Sequence, residues 1–190
     1  MTPYQAHRTR WDKCRRCSLC EYRRRVVLAR GKIPCDILIV GEAPGPAEDI
    51  TGSPFTGPAG ILLDKIVHEG VGDLPVRVCF SNLVACIPRD ELGGKFGEPP
   101  RSAIDACRPR LLEMINLAKP RVLLAAGKLA KKFASFGSRE YSGKCTLMNM
   151  PHPAWILRAE PAAQGLLFKR CVVTIQDAVD QLPEYRRAAF

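Results

Sequence analysis

Short apolar runs ending at a small residue, each followed by a stretch of helical spacing, constrain this chain more than any other feature. Asp36-Ile37-Leu38-Ile39-Val40-Gly41 is the clearest run and suits a strand buried on both faces of a parallel sheet. Residues 57 to 70 place Ile61, Leu62, Ile66 and Val67 at helical spacing. A second strand is expected over residues 76 to 85, then a helix over 102 to 118 with Ile104, Leu111 and Ile115 on one face. Lys119-Pro120 closes that helix, because proline disfavours helical geometry in its predecessor. Residues 121 to 126 read as a third strand, 127 to 136 as a helix, 146 to 150 as a fourth strand and 162 to 182 as the last helix. Alternating strands and helices imply parallel strands with crossover helices. The expected fold is therefore α/β, a three-layer α/β/α sandwich around a central four-stranded parallel sheet. Such sheets bind ligands at the carboxyl ends of their strands, so chemistry is expected in the loops after Val40, Phe80 and Met150.

Length and an apolar content of 46% suit one domain over residues 1 to 190, expected to be a monomer. No apolar run approaches the roughly 20 residues of a membrane span, and the Arg-rich start lacks the apolar stretch of a signal peptide. A cytoplasmic, membrane-free protein is the expectation. Charge is lopsided. Residues 1 to 32 hold ten Lys and Arg against Asp12 and Glu21, which accounts for eight of the net +10. A dense positive segment gains affinity for polyanions by counterion release, and nucleic acid is the commonest such partner; a solvated basic arm is the bland alternative.

Nine cysteines in a chain expected in a reducing compartment point to metal rather than disulfides. Cys14 and Cys17, two residues apart, can reach one metal or cluster, and Cys86 and Cys107 lie far downstream. Spacing alone leaves both an iron-sulfur cluster and structural zinc open, and it leaves Cys20 open as a ligand. Cys35, Cys79, Cys145 and Cys171 sit in apolar segments and read as small core residues.

Gly41-Glu42-Ala43-Pro44-Gly45-Pro46-Ala47-Glu48-Asp49, with Gly52-Ser53-Pro54-Phe55-Thr56-Gly57-Pro58-Ala59-Gly60, resembles the first signature of the family 4 uracil-DNA glycosylases. Ser81-Asn82-Leu83-Val84-Ala85-Cys86 resembles the family strand that carries a base-reading Asn and ends on a cluster Cys. Ala106-Cys107-Arg108-Pro109 resembles the last cluster ligand, and His152-Pro153-Ala154-Trp155-Ile156-Leu157-Arg158 the second catalytic signature. The matches fall in family order over residues 14 to 158. The resemblance implies a uracil-DNA glycosylase fold and a monofunctional hydrolase that removes uracil from single- or double-stranded DNA. It also implies a 4Fe-4S cluster on Cys14, Cys17, Cys86 and Cys107.

Breaking the uracil glycosidic bond leaves negative charge on the base and an oxocarbenium-like sugar. The site therefore needs hydrogen-bond donors at the base and a carboxylate near the sugar or water. By resemblance His152 faces uracil O2, and the Asn82 amide pairs with O4 and N3–H, a pattern that cytosine reverses. Phe55, in a Pro- and Gly-rich turn, is placed to stack on an extruded base. Gly41, Ala43, Gly45 and Asp49 complete the expected substrate loop, although Asp49 could equally be a helix or turn cap. Sister families carry an Asp where this chain has Ala43, leaving Glu42, Glu48 and Asp49 as acids, of which resemblance most often implicates Glu48. Leu157 and Arg158 are expected to probe the duplex.

Two departures stand out. The segment after Cys86 begins Ile87-Pro88-Arg89 instead of Arg-Pro-Pro, and the stretch to Cys107 is lengthened. That Gly-Gly-Lys loop resembles a subgroup that links covalently to uracil-DNA through a loop His, yet residues 87 to 106 contain no His. The competing readings are a same-fold glycosylase for another damaged base and a non-catalytic, cluster-containing DNA-binding protein.

Overall fold

A computed structural model describes residues 1–91, 94–132 and 145–185. Five strands form one sheet: β1 Ala29–Gly31, β2 Ile37–Gly41, β3 Val78–Asn82, β4 Val122–Ala126 and β5 Thr146–Met150. Their order is β1-β3-β2-β4-β5. The last four in chain order are mutually parallel, with Gly41 opposite Asn82. The helices are α1 Pro3–Trp11, α2 Pro46–Thr51, α3 Pro58–Val71, α4 Arg101–Ala118, α5 with residues 128–132 described, α6 Pro153–Arg158 and α7 Pro161–Asp180.

The strand period of two sorts the core into layers. Ile37, Ile39, Leu124 and Ala126 pack on one face with Leu63 and Ile66 of α3 and Cys171 and Ile175 of α7. Leu38, Val40, Leu123 and Ala125 pack on the other with Leu111, Met114 and Ile115 of α4. The three-layer architecture is therefore as expected, with a correction to the sheet. It has five strands, and β1 runs antiparallel to β3, Ala29 opposite Ser81 and Gly31 opposite Cys79. Three residues reading Ala-Arg-Gly carry no apolar alternation, so this edge strand leaves no periodic signal.

The expected second strand is also shorter. Residues 83 to 86 leave the sheet after Asn82 but stay buried, because Val84, Ala85 and Cys86 pack with Trp11, Leu19, Val26 and Ile104 in a third cluster. Their apolarity serves that cluster instead of the ladder. The basic arm is folded too. Thr2 and Gln5 make a reciprocal capping box on α1, and His7 and Trp11 are buried. The Trp11 indole donates to Glu113 Oε2 at 2.7 Å, tying α1 to α4. The helix expected to Phe136 is described only through residue 132. No described helix is long and apolar enough to cross a membrane.

Candidate active site

The carboxyl ends of β2, β3 and β5 converge. β2 delivers Gly41, β3 delivers Asn82 directly opposite, and His152 follows β5 as the N-cap of α6. Gly41 is glycine for a spatial reason. A Cβ there would lie 2.5 Å from Asn82 Oδ1 and 2.5 Å from Phe55 Cζ, so the backbone of β2 is the floor against which both side chains rest. The Phe55 ring lies 6.4 Å from the His152 ring and 5.9 Å from Phe80, centroid to centroid. Gly127 abuts His152 from β4, with a φ of +99° and His152 Cβ only 3.1 Å from any added Cβ.

His152 has a defined tautomer. Its Nδ1 accepts from the Ala154 N–H at 3.1 Å, which leaves the neutral ring's proton on Nε2. Burial, reinforced by Arg158, lowers its pKa to about 4, while Glu48 opposes the shift. The imidazole is thus a neutral donor at physiological pH. Asn82 is 2% exposed, and among the described residues its amide has no hydrogen-bond partner.

Phe55 sits at φ 56°, a left-handed conformation uncommon for a bulky residue, and such strain concentrates at functional sites. Arg30 of β1 holds it there: Nε donates to Pro54 O at 2.8 Å, Nη2 to Phe55 O at 3.3 Å, and the guanidinium lies 4.0 Å over the Phe80 ring. Sequence reasoning missed Arg30, because nothing separates it from nine neighbouring basic residues.

The three candidate acids part company. Glu48 is buried, its Oε1 accepting from Thr56 N (2.8 Å) and Gly57 N (2.7 Å) and its Oε2 from Gly45 N (3.0 Å). It thereby clamps the substrate loop between Gly45 and Gly57. Asp49 is fully buried and its carboxylate is engaged by other parts of the chain. Its Oδ1 accepts from Arg24 N and Arg25 N, and its Oδ2 pairs with Arg89 at 3.1 Å. Glu42 is half-buried, and its pKa is raised by burial and by Glu98, with Arg158 pulling the other way. Ala43 packs beside the third cluster. Leu157 and Arg158 are exposed on α6, with Trp155 also exposed nearby.

Cys14, Cys17, Cys86 and Cys107 line one pocket with Trp11, Arg23 and Arg110. Cys20 is not part of that lining. Among the described residues no three His, Cys, Asp or Glu are grouped as a single-ion site. Burial raises the Cys17 thiol and pushes Cys86 up to about 12, and the neighbouring cysteines add to both. Arg23 Nη1 donates to Cys86 Sγ at 3.6 Å and Nη2 to Cys14 O at 2.6 Å. Cys35, Cys79 and Cys171 are buried in the main core clusters, as expected of small apolar residues, whereas Cys145 is half-buried.

Strand ends of a mostly parallel sheet here gather a buried amide, a neutral imidazole donor and an aromatic in a left-handed conformation, the frame of a ligand-binding site in an α/β enzyme. The chain belongs to the Uracil DNA glycosylase superfamily, whose family profile matches residues 28–176. It is 35% identical over 172 residues to the type-4 uracil-DNA glycosylase of Pyrobaculum aerophilum, covering 80% of this chain and 83% of that one. It is 33% identical over 161 residues to the type-4 enzyme of Thermotoga maritima, covering 78% and 80%. The crystal structure of wild-type Pedobacter heparinus SMUG2 has a similar fold, with a TM-score of 0.59 at 14% identity over 75% of each chain.

Proposed function

We propose that this protein hydrolyses the N-glycosidic bond of uracil in DNA and leaves an abasic site. The observation that carries the reading is the pairing of two polar groups with no partner among the described residues, the buried Asn82 amide and Nε2–H of the half-buried His152, beside the Phe55 ring. The amide offers a donor to uracil O4 and an acceptor to N3–H. Cytosine presents the reverse, so the same amide rejects it. As the bond between the base nitrogen and the sugar C1′ lengthens, its electrons move into the base. Nε2–H then donates to O2 without having to give up its proton. Stacking on Phe55 requires the nucleotide to leave the helix, and Leu157 and Arg158 on α6 are exposed to occupy the gap.

Water attacks C1′ and needs a base. Glu42 fits that task, since among the described residues no backbone amide ties up its carboxylate and burial raises its pKa above the ordinary carboxylate value. Glu48, with three backbone N–H groups on its oxygens, acts by holding Gly45 and Gly57 in place and by lying close to His152. Gly41, Ala43 and Gly45 form the backbone of that loop, and Asp49 positions it from behind.

Cys14, Cys17, Cys86 and Cys107 would hold a 4Fe-4S cluster, a group bound by four cysteine thiolates, and these four line one pocket. Bound there, the cluster would serve to fix the arm, the segment after β3 and α4 to one another. We assign no step of the hydrolysis to it. The loop after Cys86 is braced by an Arg89 to Phe96 bridge and by Gly97 N donating to Pro88 O at 3.0 Å. It brings no imidazole to capture the sugar cation, so the product is free uracil with turnover and no lasting adduct.

A panel of labelled oligonucleotides, each with one aberrant base, tests the assignment. Alkali-labile sites should appear with uracil and not with cytosine or thymine. Cleavage only at a deaminated purine, or a heat-stable shifted band on a denaturing gel, would contradict it.

A further inference from the structure

A buried cation needs a compensating anion, and Arg110 of α4 has no carboxylate partner among the described residues. The side chain is 1% exposed, and a guanidinium stays charged in proteins. Its Nη1 donates to Ser81 Oγ at 2.9 Å, and its Nη2 donates to Asn82 O at 2.6 Å and Leu83 O at 2.9 Å. Its Nε is buried without a partner. Carbonyls and a hydroxyl satisfy hydrogen bonds but cancel no charge, and an unpaired buried ion is costly. Arg110 also lines the cysteine pocket. On the outer side of that pocket lies Arg23, which is only half-buried and can share its charge with solvent. Arg110, on the inner side, cannot.

We propose that Arg110 is the positioning residue that couples the cysteine site to base recognition. The thiolates of the occupied site balance its charge, and its fork fixes the two carbonyls where β3 ends, which sets how Asn82 meets uracil. This rests on the reading that the four cysteines hold an iron-sulfur cluster. A Lys here would retain the charge, but it could not span Ser81 Oγ and two successive carbonyls as a planar fork does.

Arg110→Gln and Arg110→Lys separate the two roles. Both would be purified and compared with the wild-type protein for iron per chain, lifetime of the visible chromophore under a chelator, and single-turnover uracil excision at saturating protein. Arg110→Gln should lose its chromophore several-fold faster and excise roughly tenfold or more slowly, as expected when a reading group is displaced. Arg110→Lys should restore chromophore lifetime toward wild type while excision stays slow. If Gln fails to fold, the Lys variant alone still reports the split. Wild-type excision in the Lys variant overturns the positioning role. Equal chromophore lifetimes in folded Gln and wild-type protein, or a Lys lifetime no better than Gln, overturn the charge-balance role. Wild-type protein free of iron overturns the cluster reading itself, and the excision arm then judges the positioning role separately.

Discussion

At His152 one backbone N–H decides the chemistry. Because Ala154 N donates to Nδ1, the ring can present only Nε2–H to a ligand while it is neutral, and burial keeps it neutral. The same arrangement has a cost in acid. The folded-state pKa is about 4 against an ordinary value of 6.5, so as pH falls through 6.5 the unfolded chain takes up a proton that the folded chain refuses. This residue's contribution to stability is thus complete above about pH 6.5 and is lost progressively down to about pH 4. Melting temperature measured across that window should fall less steeply in His152→Gln than in the wild-type protein. Parallel curves would show that the imidazole is not held neutral.

At the scale of elements, the staple around Asp49 and the lengthened loop explain one another. Asp49 of α2 gathers the backbone of residues 24 and 25 and the Arg89 side chain, joining three segments that are distant in sequence. The loop that starts with Arg89 carries Glu98, whose charge raises Glu42 alongside burial. If Glu42 is the base, excision needs its ionised form, and the acid limb of the rate profile lies above the ordinary carboxylate value. Glu98→Gln should move that limb to lower pH, and Glu42→Gln should abolish it with most of the rate. A limb unmoved by Glu98→Gln would detach the loop from the chemistry.

Legibility in the sequence followed the same physics. β2 and β4 were readable because fully buried strands are continuous apolar runs, and His152 was readable through the resemblance of residues 152 to 158 to a family signature, with its place after a strand in agreement. β1 was not, since its worth lies in Arg30 reaching Phe55 across the sheet edge. Glu48 was singled out as an acid by resemblance, and Asp49 was readable either as a substrate-loop acid or as a cap. Only the backbone amides that they accept show that both hold the loop.

Over the whole molecule, the basic surplus of the first 32 residues divides into charges that fold the arm and charges exposed to solvent. Arg10 pairs with Glu113, and Arg30 pairs with Asp64. Arg15, Arg24 and Arg25 have exposed side chains. If those three meet phosphates, converting them together to Gln should flatten the dependence of DNA affinity on salt by up to about three in logarithmic slope. Excision at saturating protein should be unchanged. An unaltered slope would place the DNA on another face. The site itself is tested most directly by single-turnover uracil excision in Asn82→Ala and His152→Ala, with DNA affinity measured in parallel. Loss of one preorganised donor typically costs ~100-fold or more in rate. Both variants should fall by about that factor while binding DNA nearly as well as the wild-type protein. Undiminished excision in either one would contradict the account.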